Sequence, residues 1–326
     1  INYLNFRFFY NMIFSKVKFL TFFAIICSIG LAPINDASAN EGTAITEVAT
    51  LEHDLGLGQD NSLVQVDADT YALAYTGVDG DGFISTFDIA ADGTTITEVA
   101  TLEHDTDNGT FNSLVQVDSD TYALAYTGTG QDGFISTFTI SSSGVITAVR
   151  TQSLGNNLEH DTVHGRYNSL VQVDSDTYAL AYAGDDPDAN FSGNGFISTF
   201  TISSSGAITA VKTQSLGNNL EHDTVQGYFN SLVQVDSDTY ALAYSGSGYD
   251  GFISTFDIAA DGTITAVKTQ SLGNNLGHDT AQGKYNSLVQ VDADTYALAY
   301  AADASDGYIS TFDIAADGTT ITEVAT

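Results

Sequence analysis

Three kinds of residue recur in this chain at spacings that could support chemistry. His-Asp pairs stand at His53-Asp54, His104-Asp105, His160-Asp161, His222-Asp223 and His278-Asp279. An imidazole beside a carboxylate can bind a metal or move a proton. These pairs recur once per repeat at one place, however, whereas an active site needs unlike groups converging on one substrate. We therefore expect His53, His104, His160, His222 and His278 to act as loop clips that bond the backbone of their own connections. Asp-x-Asp turns form the second set, at Asp67/Asp69, Asp118/Asp120, Asp174/Asp176, Asp236/Asp238 and Asp292/Asp294. Clustered carboxylates can hold calcium, but no turn has the full alternating loop with a closing Glu, and Asp is a good hairpin residue in its own right. Asp79-Gly80-Asp81-Gly82 comes nearest, so Asp79 and Asp81 are the candidate calcium ligands.

The third set pairs an aromatic residue with Asn: Phe111-Asn112, Tyr167-Asn168, Phe229-Asn230 and Tyr285-Asn286. An aromatic face with a neighbouring amide can stack on and hydrogen-bond a sugar. The competing reading is that these rings fill the gap between neighbouring units. No nucleophile elbow, phosphate loop or zinc-ligand spacing is present.

All three sets are positioned by one repeated unit. Asn-Ser-Leu-Val-Gln-Val-Asp-Ser/Ala-Asp-Thr-Tyr-Ala-Leu-Ala-Tyr begins at Asn61, Asn112, Asn168, Asn230 and Asn286, at intervals of 51, 56, 62 and 56 residues. Within the second unit, Ser113–Asp118, Thr121–Thr127, Gly133–Ile140 and Val145–Thr151 have strand chemistry, each bounded by turn residues. Four strands per unit at this period predict an all-β chain, a β-propeller of four-stranded antiparallel blades. Tyr122-Ala123-Leu124-Ala125-Tyr126 is apolar throughout, as expected of a strand packed on both faces, with Ala allowing close approach and Tyr and Leu filling the space. The units differ mainly in the second turn and in the connection after His-Asp, for example Val163–Tyr167, Val225–Phe229, Ala281–Tyr285 and the enlarged Gly184–Asn194. Both connections fall on one rim, where binding residues are expected.

Thr43–Thr50 reads as a fourth strand ahead of the first full unit, suited to completing the last blade. The chain nevertheless ends in its own fourth strand, Thr320–Thr326, worded as Thr95–Thr101. Five units with six fourth strands lead us to expect truncation from a propeller of six or more blades.

The first residues differ in kind from the rest. Residues 1–11 read as translated upstream sequence. Residues 12–39 read as a signal peptide, with Lys16 and Lys18 before the apolar run Phe19–Ala32 and cleavage after Ala39. That run is shorter than the ~20 residues of a membrane span, so the mature chain, 40–326, should have none. Cys27 would leave with the signal, and no thiol chemistry or disulfide would remain. The whole chain has a formal net charge of −33. Such a surface repels nucleic acid and anionic lipid, which require basic side chains.

The repeated wording, followed in each unit by Gly-Phe/Tyr-Ile-Ser-Thr-Phe, resembles exported β-propeller repeat proteins of marine prokaryotes. A looser similarity is to five-bladed lectin propellers, which bind one sugar per blade. These resemblances imply an exported or cell-surface, non-enzymatic binding or adhesion module. Its multivalent rim, built from Phe111, Tyr167, Phe229, Tyr285, Asn112, Asn168, Asn230 and Asn286, would contact an extracellular glycan, a surface polymer or a protein, with calcium as the one cofactor in view. The alternatives are a glycosidase-like propeller hydrolase using carboxylates near the central channel and a structural surface-layer component. Near-identical units weigh against the hydrolase, because its two carboxylates need different environments.

Overall fold

Alternation of β-branched and aromatic residues between Asp- and Gly-rich turns produces antiparallel meanders throughout the chain. The computed structural model describes residues 46–185 and 193–326. The expected upstream segment and signal peptide lie outside the described residues. Among the described residues no helix is long and apolar enough to cross a membrane. Thr46 and Glu47, the described part of the N-terminal unit, lie in no strand.

Residues 48–326 form a β-propeller arc of five sheets. Blade 1 contains β1 (Gln59–Gln65), β2 (Thr70–Thr76), β3 (Gly82–Ile89) and β4 (Ile96–Asp105), hydrogen-bonded in that order. Blade 2 repeats the order with β5 (Thr110–Gln116), β6 (Thr121–Thr127), β7 (Gly133–Ile140) and β8 (Ile146–Arg150), close to the boundaries the sequence predicts. Its outer edge carries one more short strand, β9 (Leu158–Asp161), which also pairs with β7. Thr151–Asn157 loops out between β8 and β9, and blade 1, which lacks that insertion, runs β4 straight through. Leu-Glu-His-Asp therefore ends the outer edge of its own blade rather than starting a free connection.

Blade 3 comprises β10 (Arg166–Gln172), β11 (Thr177–Gly184), β12 (Asn194–Ile202), β13 (Ile208–Lys212) and β14 (Leu220–Asp223). Blade 4 comprises β15 (Tyr228–Gln234), β16 (Thr239–Ser245), β17 (Gly251–Ile258), β18 (Ile264–Lys268) and β19 (Leu276–Asp279). Blade 5 comprises β20 (Lys284–Gln290), β21 (Thr295–Ala301), β22 (Gly307–Ile314) and β23 (Ile321–Ala325). Because β23 already occupies the outer edge of β22, no edge is left there for the leading segment. Residues 46–58 accordingly hold no strand, contrary to the expectation for Thr43–Thr50.

The core lies between blades. The second-strand alanines and third-strand isoleucine of one blade meet the Tyr-Leu-Tyr face of the next. Ala123, Ala125 and Ile135 of blade 2 pack against Tyr178, Leu180, Tyr182 and Phe200 of blade 3, and blades 3 and 4 repeat the arrangement. Small side chains on one surface and large ones on the other keep the junction filled at close approach.

Hydrogen bonds run along the same seams. The hydroxyls of Ser62, Ser113, Ser169 and Ser231 accept the backbone N–H of Leu114, Leu170, Leu232 and Leu288 in the following blade, at 2.9–3.0 Å. Thr86, Thr137, Thr199 and Thr255 donate to the carbonyls of Gly144, Gly206, Gly262 and Gly318, again one blade on. These glycines have φ of +65° to +79°, a region that favours glycine and lets the third turn lie against the neighbouring sheet.

Candidate functional site

The inner strands β1, β5, β10, β15 and β20 each open with a β-bulge, where register shifts across the aromatic-Asn pair. Phe111, Tyr167, Phe229 and Tyr285 have φ of +54° to +56°, an uncommon region for bulky side chains. Bulges re-aim side chains, and here the rings converge. Ring centroids are 4.4 Å apart for Phe111–Tyr167 and 4.6 Å apart for Tyr167–Phe229 and Phe229–Tyr285. Together with Asn112, Asn168, Asn230 and Asn286 they line one central cavity of about 310 Å³. In blade 1 the aromatic position is held by Asp60 (φ +50°), the one carboxylate on the cavity wall among the described residues.

This differs from a rim offering one binding position per blade, since the rings form a shared wall. The asparagines act as staples. The Asn168, Asn230 and Asn286 amides each donate to the aromatic carbonyl of the preceding blade, Phe111, Tyr167 and Phe229 respectively, at 3.0–3.2 Å. Each of the four also donates to the glycine carbonyl three residues earlier in its own chain segment.

The His-Asp pairs divide their work differently from the expected loop clip. Asp, rather than His, holds the loop: Asp161 Oδ1 accepts the N–H groups of Val163 (3.0 Å) and His164 (3.1 Å), and Asp54, Asp105, Asp223 and Asp279 do the same in their own blades. His104, His160, His222 and His278 have neither ring nitrogen hydrogen-bonded. Their rings, like that of His53, meet a tyrosine edge-on at 4.6–4.7 Å. They are packing residues, and burial pushes His104, His160 and His222 down to about 3 and His278 to about 4.

Asp79 lies exposed in the second turn of blade 1, and Asp81 pairs with the Glu103 carboxyl. Among the described residues no group of three or more His, Cys, Asp or Glu side chains could hold a metal ion. Two carboxylates, one of them already engaged, do not fit the six to eight oxygen ligands calcium takes.

The sixth histidine stands outside the repeat. His164 Nδ1 lies 2.6 Å from Asp185 Oδ2, with both side chains largely buried. The other oxygen of Asp185 accepts the Gly193 N–H at 3.1 Å, so this carboxylate is held at both ends. Arg166, Ala183 and Tyr228 complete a pocket of about 50 Å³. The positions corresponding to His164 are Asn108, Gln226 and Gln282 in blades 2, 4 and 5, and those corresponding to Asp185 are Thr129, Ser247 and Asp303. Blade 3 alone combines His with Asp.

The dyad stands where the connection after His-Asp meets the second turn. That both lie on one rim is visible in bonds such as Gly165 N–H to the Gln131 carbonyl (3.0 Å) and Gly227 N–H to the Gly193 carbonyl (2.9 Å). Tyr228 joins the dyad pocket to the central cavity through its contact with Tyr167, at 4.9 Å between centroids. Sequence reasoning marked both segments as variable without singling out His164, Arg166, Asp185 or Tyr228. The available signal was a histidine out of register with five that repeat.

No protein-family model matches the chain, and no curated protein matches it by sequence. Solved structures do. The periplasmic gluconolactonase of Pseudomonas aeruginosa superposes with a TM-score of 0.60 at 14% identity, covering 81% of this chain and 71% of that one. A protein from Lactobacillus plantarum gives 0.55 at 15%, covering 81% and 69%. The similarity establishes the propeller fold. It also corrects the expectation of a non-enzymatic binding and adhesion module, since an enzyme is among the structures sharing this architecture. The premise behind that expectation, that near-identical units offer no convergence of unlike groups, fails at blade 3.

Proposed function

We propose that this chain is a propeller hydrolase that opens an ester or lactone bond beside the central cavity. The observation that carries this reading is the His164–Asp185 pair, present in one blade and flanked by Arg166 and Tyr228. With Nδ1 donating to Asp185, Nε2 is the basic nitrogen of the neutral ring. His164 then takes a proton from a water attacking the carbonyl carbon, and Asp185 orients the ring and stabilises the imidazolium. Arg166, in no ion pair among the described residues, stabilises the developing oxyanion. As the intermediate collapses, the carbon–oxygen ester bond breaks, and the imidazolium returns its proton to the leaving oxygen. The products are a carboxylate and an alcohol, joined in one hydroxy acid when the substrate is a lactone.

The pocket has room for the reacting group, while the aromatic-walled cavity accommodates the rest of a small substrate. The similarity to a gluconolactonase supports this reaction class over glycoside cleavage. Glycosidases need two carboxylates about the scissile bond, whereas the cavity wall presents Asp60 alone among the described residues. Glu103 pairs with Asp81 and Glu159 with Asp132, but both glutamates lie on the outer strands β4 and β9. Export belongs to the same reading, since residues 12–39 read as a signal peptide and the matched lactonase is periplasmic.

A panel of aldonolactones and simple esters, followed by pH-stat, tests the proposal. Wild-type turnover should fall by about 10²–10⁴-fold in His164→Ala with the fold retained. No turnover by folded wild-type protein, or an unaffected His164→Ala variant, would remove the dyad from consideration.

A further inference from the structure

The five blades are joined by four junctions built to one plan. In each, the earlier blade supplies a serine hydroxyl, alanines, an isoleucine and a threonine hydroxyl, while the later one supplies a leucine, a Tyr-Leu-Tyr face and a glycine carbonyl. Blade 5 carries the first half of this plan again with nothing against it. Ile309 is 69% exposed where its blade-4 counterpart Ile253 is 0%, and Val291 is 62% exposed against 9% for Val235. Ser231 accepts Leu288 N–H and Thr255 donates to the Gly318 carbonyl. Their blade-5 counterparts, Ser287 and Thr311, make no such bond among the described residues.

Blade 1 carries the second half. Leu63 is 58% exposed where Leu114 is 4%. The two halves do not close on each other, because β20 packs along β15 and β1 along β5, with no corresponding packing of β20 along β1.

We infer that these two faces form a docking site for a further blade of the same repeat type, whichever polypeptide supplies it. The occupant is defined chemically. It is a four-stranded sheet showing a leucine and a Tyr-Leu-Tyr face to blade 5, and a serine, alanines and an isoleucine to blade 1. Such a blade continues the interface seen four times and satisfies Ser287 and Thr311 as their counterparts are satisfied. The junction is heterologous, joining two different faces. A second copy of the whole arc that satisfied one face in this geometry would bring its own remaining blades into the space beside the other. Contiguous apolar surface of this kind, continuous with an existing interface, marks an interaction site.

The experiment keeps the full chain and extends it. Because Thr320–Thr326 repeats the wording of Thr95–Thr101, residues 102–161 (one unit) or 102–223 (two units) can follow Thr326 in natural register. In the present chain Ile309→Asp should move Tm by less than about 2 °C, as at a surface position. In the extension that fills the site, the same substitution should lower Tm by roughly 5 °C or more, because the charge then enters a packed junction. Binding of an apolar-surface dye should also fall on extension. Unchanged dye binding together with tolerance of Ile309→Asp in both extensions would overturn the inference. So would a stable dimer of the present chain that Ile309→Asp converts to monomer, since a second copy would then be the occupant. Neither readout depends on hydrolytic activity.

Discussion

His164 differs from the other histidines in its company. Five imidazoles lie against tyrosine edges, whereas His164 meets a carboxylate that is itself fixed by a backbone N–H. The same dependence on neighbours governs Gly193, whose φ of +63° brings the chain under Tyr228. A Cβ there would lie 2.4 Å from the Tyr228 hydroxyl oxygen, so a methyl group must displace that ring. Gly193→Ala should therefore lower kcat/KM about 10-fold or more toward any substrate found, by moving the wall between pocket and cavity. Near-UV circular dichroism combined with kinetics checks this; full activity with an unmoved tyrosine signal would show that the ring's position is immaterial. His164 was visible in the sequence as an exception to a repeat, but its partner was not. Asp185 lies in a Gly- and Asp-rich turn whose composition gives no reason to choose one carboxylate over another.

At the scale of the blade, glycines set how closely the connecting loop approaches the sheet. Gly165 lies against Gly133, and a Cβ on Gly165 would fall 2.3 Å from the Gly133 Cα, which is backbone and cannot swing aside. Gly155 has a similar positive requirement, φ +64°, but open space around it. The two substitutions separate two costs. Gly155→Ala should destabilise by about 1 kcal/mol through backbone strain alone. Gly165→Ala should cost about 1–3 kcal/mol through overpacking. Urea titration of both variants decides the matter, and equal losses would mean that the close approach is not a constraint.

For the whole molecule, the buried histidines couple stability to pH. His104, His160 and His222, held near 3 by burial, and His278, near 4, stay neutral in the fold but protonate near 6.5 when unfolded. Folded values below unfolded ones mean that the unfolded state binds more protons as pH falls, so stability declines from about pH 6.5 downward. Each such histidine contributes a slope of about 1.4 kcal/mol per pH unit between its two values. Asp161 opposes this: burial raises it to about 6, giving a contribution present below 3.8 and lost as pH rises through 6. Burial raises Asp105 and Asp223 in the same direction. Four histidines outweigh three aspartates, and Tm should fall steadily between pH 6.5 and 5, where most of the other carboxylates remain ionised. A flat or rising Tm over that window would contradict the buried neutral state of these rings.

The architecture was legible in the sequence because it rests on local regularities repeated five times. Strand chemistry, turn residues and the Ala/Tyr-Leu alternation of Tyr122–Tyr126 are properties of neighbouring residues, and copies of one unit must make copies of one interface. The convergence of Phe111, Tyr167, Phe229 and Tyr285 on a single wall could not be read that way, because it depends on bulges with positive φ and on the curvature of the arc. Nor could the exchange of roles within His-Asp, where the carboxylate holds the loop and the imidazole packs. The meeting of His164 with Asp185 joins residues 21 apart in the chain, from a loop and a turn. Composition and periodicity describe what each strand is made of. Which loops come within hydrogen-bonding distance is decided only when the sheets stack, because that contact is made between elements and belongs to no single one of them.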